Sequence, residues 1–281
     1  MHAESIIIIL TLGLFLLSSL HSVISFFLPE KPRNRLGLVL VGLAAAGLVA
    51  VLVLKGIHSG RCPIVGPFGA PGFYALTLTA IYLCVAIRYD ARSMSVVILP
   101  FVTLLLALGT LRTWNHATVN SGVRSVWLNG HVVTALAGYA LFTWACILAV
   151  FYLIQDRNLK RKHFGRIFRA LPALEILDRL MYRQILFAFG VFSLSIVLGI
   201  VLTHLNHWRA AWPRDPKIIA TALTWVVYAV LLHLRMKSGE HGKTMAAITI
   251  LGFVCVAITF FGINLFVPSM HKFNFSETLG G

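Results

Sequence analysis

Charge is scarce in this chain, and acidic charge scarcer still. Of 281 residues only 12% are charged, and 9 Asp or Glu face 24 Lys or Arg, for a formal net charge of +15. Hydrophobic residues make up 58%, and the mean hydropathy is +0.86. A soluble domain needs more polar surface than that, so the composition implies a polytopic membrane protein. Cysteine is sparse too: Cys62, Cys84, Cys146 and Cys255 stand singly, with no Cys-x-x-Cys and no disulfide framework. Thiol redox chemistry is therefore not expected. The apolar runs carry no row of Asp, Glu, Lys or Arg of the kind that marks an ion or solute pathway, which argues against a transporter. There is no nucleic-acid motif and no basic face interleaved with aromatics, so the positive excess is expected to meet anionic lipid, not nucleic acid. Internal repeats and low-complexity segments are also missing, and a single domain over residues 1–281 is expected. Met1-His2-Ala3-Glu4 brings no basic stretch before the first apolar run, so that run is expected to be a retained span, not a cleaved signal.

What is present is a series of eight apolar runs, near Ser5–Leu28, Leu36–Leu54, Phe73–Ile87, Met94–Leu111, His131–Ile154, Ile185–His204, Ile218–Leu234 and Thr244–Val267. Each is long enough, or nearly so, to cross the hydrocarbon core, so the fold class is all-α with about eight transmembrane helices. The third and seventh are short, and Pro100 is positioned to kink the fourth. An even count puts both termini on one side. Sixteen of the 24 basic residues fall in the connections after the first, third, fifth and seventh runs, and the other eight on the opposite side. The positive-inside rule then places both termini outside, in the expected setting of a bacterial cytoplasmic membrane. In the long connection Arg157–Arg183, Leu171, Leu174, Leu177, Leu180 and Met181 recur at helical spacing with Pro172 near the start, which predicts an amphipathic helix in the inner interface.

Histidine inside lipid is costly unless it is paired, hydrogen-bonded or metal-bound, so position matters more than number. His131 opens the fifth run at its outer end and His271 follows the eighth, also outside. Between the sixth and seventh runs lies the outer loop His207-Trp208-Arg209-Ala210-Ala211-Trp212-Pro213-Arg214-Asp215-Pro216-Lys217, with His204 before it and Trp225 after it. An outer constellation can thus gather His131, His271, Trp208, Trp212, Asp215 and Trp225. Two neutral imidazoles on opposite faces of a porphyrin would make a six-coordinate iron site. Indoles would cover its apolar faces, and Arg209, Arg214 or Lys217 would pair with its propionates. A second pair, His21 in the first run and His233 in the seventh, lies at matching depth, roughly 22–24 Å below the outer surface at ~1.5 Å per residue, which permits an inner bis-histidine site. The plainer alternatives are interfacial histidines and a tryptophan belt at the membrane surface.

The order of these features resembles the CcsA/CcmC/HemX family of cytochrome c assembly membrane proteins. Gly60-Arg61-Cys62-Pro63 looks like that family's Gly-Arg-x-Pro segment, and His131-Val132-Val133-Thr134-Ala135-Leu136 like its histidine-led helix. Leu171–Leu180, Thr224–His233 and Gly262-Ile263-Asn264-Leu265-Phe266 followed by His271 resemble the segments around and after its tryptophan-rich loop. That loop typically reads Trp-Gly-x-x-Trp-x-Trp-Asp-Pro-Lys-Glu. Here Trp208, Trp212, Asp215, Pro216 and Lys217 match, while Arg209, Arg214 and Ile218 replace glycine, the third tryptophan and glutamate. The resemblance implies non-covalent b-type haem, with His131 and His271 as axial ligands on the outer face and His233 as one ligand of an inner haem. The assignment of His21 as the inner partner is an inference from depth alone.

Three functions follow from these readings. The first is haem handling or translocation for cytochrome c biogenesis, with haem presented on the outer, periplasmic face to apocytochrome c, alongside another assembly membrane protein. The second is a HemX-like regulatory or accessory protein of haem metabolism without synthase activity, which the altered loop favours. The third is a di-haem electron-transfer anchor subunit, which leaves the tryptophan loop unexplained. No side chain stands out as a general acid or base. A scaffold without ligand is the remaining alternative.

Overall fold

The computed structural model describes residues 2–28, 35–60, 62–64, 68–89, 94–114, 126–205, 215–238 and 242–262. Among them every regular element is helical: α1 (His2–Phe27), α2 (Arg35–Ser59), α3 (Gly69–Tyr89), α4 (Ser95–Trp114), α5 (Val126–Lys160), α6 (Arg166–Ala170), α7 (Leu174–Leu205), α8 (Pro216–Ser238) and α9 (Lys243–Ala257), the last continued by a π-helical turn, Ile258–Gly262. Seven of these helices are long and apolar enough to span a membrane, and the apolar stretch Ser95–Leu111 of α4 is a shorter eighth. The protein is an all-α, polytopic integral membrane protein. The eight apolar runs of the sequence are all present as helices, and α4 runs on through Pro100.

Large apolar side chains such as Leu10, Ile57, Ile87, Leu111, Phe187 and Met236 are exposed on the outside of the helices. In lipid that arrangement costs nothing, because hydrocarbon solvates them as well as a core would. The helices therefore associate by close packing and a few polar contacts.

Two compact units can be separated, residues 1–120 with 169–172, and residues 121–168 with 173–281. In the first, α1 packs on α2 and α4, and α3 packs on α2 and α4. On α2 the buried residues Val41, Ala44, Leu48, Val51 and Leu52 form one narrow stripe at helical spacing. Gly47 lets α1 come close: a Cβ there would sit 2.8 Å from Thr11 Oγ1. Ser22 of α1 and Ser95 at the start of α4 share a buried hydroxyl–hydroxyl hydrogen bond. At the opposite end, Lys55 pairs with Glu4 at 2.8 Å and lies over the Phe68 ring.

In the second unit α5 is the inner helix, packed on α7 and α9, with α8 against α9 and α7. From Gly138 to Ala149 its residues are all buried, which is the pattern of a helix surrounded by others. Its middle carries an aromatic cluster. Phe142 stacks on Tyr228 at 3.7 Å and meets Phe192 edge-on, and Tyr139 contacts Phe192 and Phe260. Gly252 of α9 makes room for Tyr228, since a Cβ there would lie 2.8 Å from the phenol ring.

The helix expected from Leu171 onward is present, but it begins at Leu174 and runs unbroken into the sixth span as the 32-residue α7. No proline interrupts this stretch, and Leu177, Met181 and Ile185 form one buried line across the boundary. At this end Arg235 of α8 makes a two-pronged salt bridge to Asp178 of α7, at 3.1 and 2.6 Å. Asp178 also accepts the Gly242 N–H at 3.0 Å, and the Arg235 guanidinium lies over the Tyr182 ring. Gly242 has φ +72, and a Cβ would collide with the Tyr152 hydroxyl, so only glycine fits this turn into α9.

Candidate haem site at the start of α5

His131 sits in the second turn of α5 and is half-buried against α7. Its Nδ1 is 2.8 Å from the Ser195 carbonyl oxygen. A carbonyl can only accept, so Nδ1 carries the proton and Nε2 is the ring's basic nitrogen. Around it the α5 backbone is tied down by Thr134, whose hydroxyl donates to the carbonyls of Gly130 and His131 at 2.7 and 3.1 Å. The imidazole rests over Gly199: a Cβ there would lie 2.9 Å from His131 Cε1 and 3.1 Å from Nδ1.

The start of α8 reaches the same place. Asp215 is buried and caps the helix, its Oδ1 accepting the Lys217 N–H at 2.8 Å and its carbonyl accepting from Ile218 and Ile219. Pro216 follows in the first helical position, where a missing N–H is no loss. The Asp-Pro-Lys tripeptide is thus a helix-starting device. It places the half-buried Lys217 within electrostatic reach of both Asp215 and His131. One turn further, Thr221 comes within interaction range of the Tyr139 hydroxyl of α5.

Trp225 lies deeper and to one side. Its indole N–H donates to Ser193 Oγ at 2.9 Å and its ring leans on Phe189, leaving it 38% exposed. Ser193 and Ser195 are about 200° apart around α7 at 3.6 residues per turn. Trp225 and His131 therefore use different flanks of that helix. His204 is exposed in the last turn of α7. His271, Trp208 and Trp212 lie outside the described residues, as do Arg209 and Arg214.

Of the inner pair, His233 is exposed on α8, two residues before Arg235, and belongs to the second unit. His21 belongs to the first unit, half-buried on α1, with Nε2 3.5 Å from Ser25 Oγ and its ring against Gly37. Within the first unit, Gly60 ends α2 in a left-handed conformation. The Pro63-Ile64 backbone then crosses so close to the first turn of α3 that a Cβ on Gly69 would fall 2.1 Å from the Pro63 oxygen.

Haem fits the donors that are described. A porphyrin supplies four equatorial nitrogens of its own, so the protein needs to add only axial ligands, a polar partner for the carboxylates and an apolar wall. His131 offers one basic nitrogen held by a carbonyl behind it, as metal-binding imidazoles commonly are, and Lys217 offers a cation within electrostatic reach. Among the described residues no three His, Cys, Asp or Glu side chains gather into a site for a bare metal ion.

The family model described as Cytochrome C assembly protein matches residues 65–271. This chain belongs to that family. Similar proteins include the cytochrome c biogenesis protein CcsA of the alga Guillardia theta, 27% identical over 252 residues, covering 82% of this chain and 83% of the relative. The protein of that name from Synechococcus sp. (strain CC9605) is 27% identical over 274 residues, covering 88% and 90%. That from Chlamydomonas reinhardtii is 27% identical over 244 residues, covering 84% of this chain and 68% of the relative. The chain is therefore a cytochrome c biogenesis membrane protein, and the matched region runs from before α3 past the end of α9, including the tryptophan loop.

His131 and Lys217 are site candidates from the sequence alone, whereas the contacts of His131 with Ser195 and Gly199 emerge only from the packing of α5 on α7. A glycine inside an apolar helix was the available signal, since it weakens the helix by about 0.5–1 kcal/mol relative to alanine and so points to close packing.

Proposed function

We propose that the protein binds b-type haem at its outer end and presents it to apocytochrome c, as one membrane domain. The observation that carries this reading is the His131 imidazole, fixed through Nδ1 by the Ser195 carbonyl. Membership of a cytochrome c assembly family supports it. His131 and His271 would hold the haem iron. Lys217 would pair with a propionate, and Trp208 and Trp212 would cover the ring. When bound, haem supplies the vinyl groups to which the cysteine thiols of an apocytochrome add. The protein's part is to orient the ring, exclude competing reactions and hold it in place for the incoming segment.

The inner histidines serve the same purpose at the other face of the membrane. His233 would take up haem there. The site at His131 would lie outside the membrane, on the periplasmic side in a bacterial cell, with another assembly membrane protein as partner. The test is cytochrome c maturation in cells that lack their own assembly system, with covalent haem in a reporter cytochrome as the signal. Restored covalent haem that requires His131 supports presentation. Haem bound without any maturation favours the regulatory, HemX-like reading instead, for which the substitutions at Arg209, Arg214 and Ile218 are the specific observation.

A further inference from the structure

We propose that Gly199 is a positioning residue, and that the α7 turn from Ser195 to Gly199 is a notch that sets the tautomer and the direction of the His131 ring. The proposal rests on the haem reading for its purpose, but its physical content is a property of the haem-free protein.

Two features of one helical turn act on the same imidazole. The Ser195 carbonyl accepts from Nδ1 at 2.8 Å, which fixes the proton on that nitrogen. Four residues on, Gly199 leaves the space in which the ring lies, with Cε1 and Nδ1 at 2.9 and 3.1 Å from where a Cβ would be. The hydrogen bond depends on the glycine: the ring lies against a backbone without a side chain when it reaches the carbonyl. A neutral imidazole held through Nδ1–H has a more basic Nε2, aimed where its ring plane points.

A Cβ at position 199 displaces the imidazole in preference to the backbone. The atoms it would strike belong to the end of a side chain with two rotatable bonds, whereas α7 is continuous from Leu174 to Leu205. Alanine is also the better helix former, so the helix itself gains from the change. The consequence falls on ring orientation and tautomer, with the fold retained. Gly190 on the same helix is the matched control, because a Cβ there meets nothing within 4 Å.

The experiment compares the full-length parent with Gly199→Ala and Gly190→Ala, purified in detergent. In the haem-free proteins, imidazole 15N shifts report the His131 tautomer, assigned by its loss in His131→Ala. The parent and Gly190→Ala should show a single Nδ1–H form, and Gly199→Ala a mixture or the Nε2–H form. In proteins loaded with haem, Gly199→Ala should release it about 10–100-fold more readily, the usual range for loss of a group that orients a metal-ligating side chain, and its reduction potential should rise. An unchanged tautomer in Gly199→Ala, or an equal shift in Gly190→Ala, overturns the proposal whatever the haem content. Haem content in His131→Ala equal to that of the parent would instead sink the haem reading, and the 15N result would still decide whether the notch exists.

Discussion

The salt bridge between Asp178 and Arg235 gives the most quantitative expectation. Both side chains are largely buried, at 15% and 11% exposure, and they meet through two hydrogen bonds. Asp178→Ala would leave the guanidinium without its counter-charge and the Gly242 N–H without its acceptor. Breaking a buried pair from one side costs about 3–5 kcal/mol, and the remaining exposure places this pair near 3. The lost backbone bond adds about 1 kcal/mol, for a total of about 4. The double variant Asp178→Ala/Arg235→Ala removes the guanidinium together with the carboxylate it meets, so it should be more stable than the sum of the single changes predicts, with a coupling of about 2 kcal/mol, within the range for residues in contact. The assay is reversible unfolding in mixed micelles by titration with a denaturing detergent, run as a double-mutant cycle. Single changes costing under about 1 kcal/mol each, as for an exposed ion pair, with no coupling, would refute the reasoning. The bridge also fixes the end of α8 that carries His233, two residues before Arg235.

Three further outcomes are expected. Gly252→Ala should destabilise the second unit by about 1–3 kcal/mol, because the Tyr228 ring it strikes is already stacked on Phe142 and has nowhere to go; Gly13→Ala, with open space around it, should be neutral or stabilising in the same unfolding assay. Lys217→Gln should weaken haem retention while Lys217→Arg keeps most of it, measured by transfer of haem to an apo-globin acceptor; equal retention in both would remove the propionate role. His233→Ala should lower the haem content of protein expressed in cells making their own haem, yet leave binding of haem added from outside unchanged; loss of both would mean that His233 acts on the fold.

The helical architecture was legible in the sequence because the bilayer imposes it: eight apolar runs of spanning length leave no other solution for the backbone. Boundaries were less so. The apolar run at Ile185 marks where lipid begins, whereas α7 begins at Leu174, since Asp178, Arg179 and Arg183 interrupt the hydropathy without interrupting the helix. Asp215 shows a different limit. Its place in a tryptophan motif makes it a candidate site residue, and the structure adds that it caps α8 with Pro216 behind it. His131 could be found by type and depth, but its partner could not. The Ser195 carbonyl is main chain and Gly199 has no side chain, so neither leaves a chemical signature in the sequence, and only the approach of α5 to α7 brings them together. The aromatic cluster around Phe142 was likewise hidden, because helices that are apolar on every side do not reveal which face meets which neighbour.

The most direct test of the central claim is the reduced-minus-oxidised pyridine haemochrome spectrum of the purified protein, expressed with haem supplied, beside His131→Ala and the double variant His131→Ala/His271→Ala. The account predicts b-type haem in the parent, less in the single variant, and loss of the outer site's share in the double variant at unchanged protein yield. A parent free of haem, or equal haem in all three proteins, would contradict it.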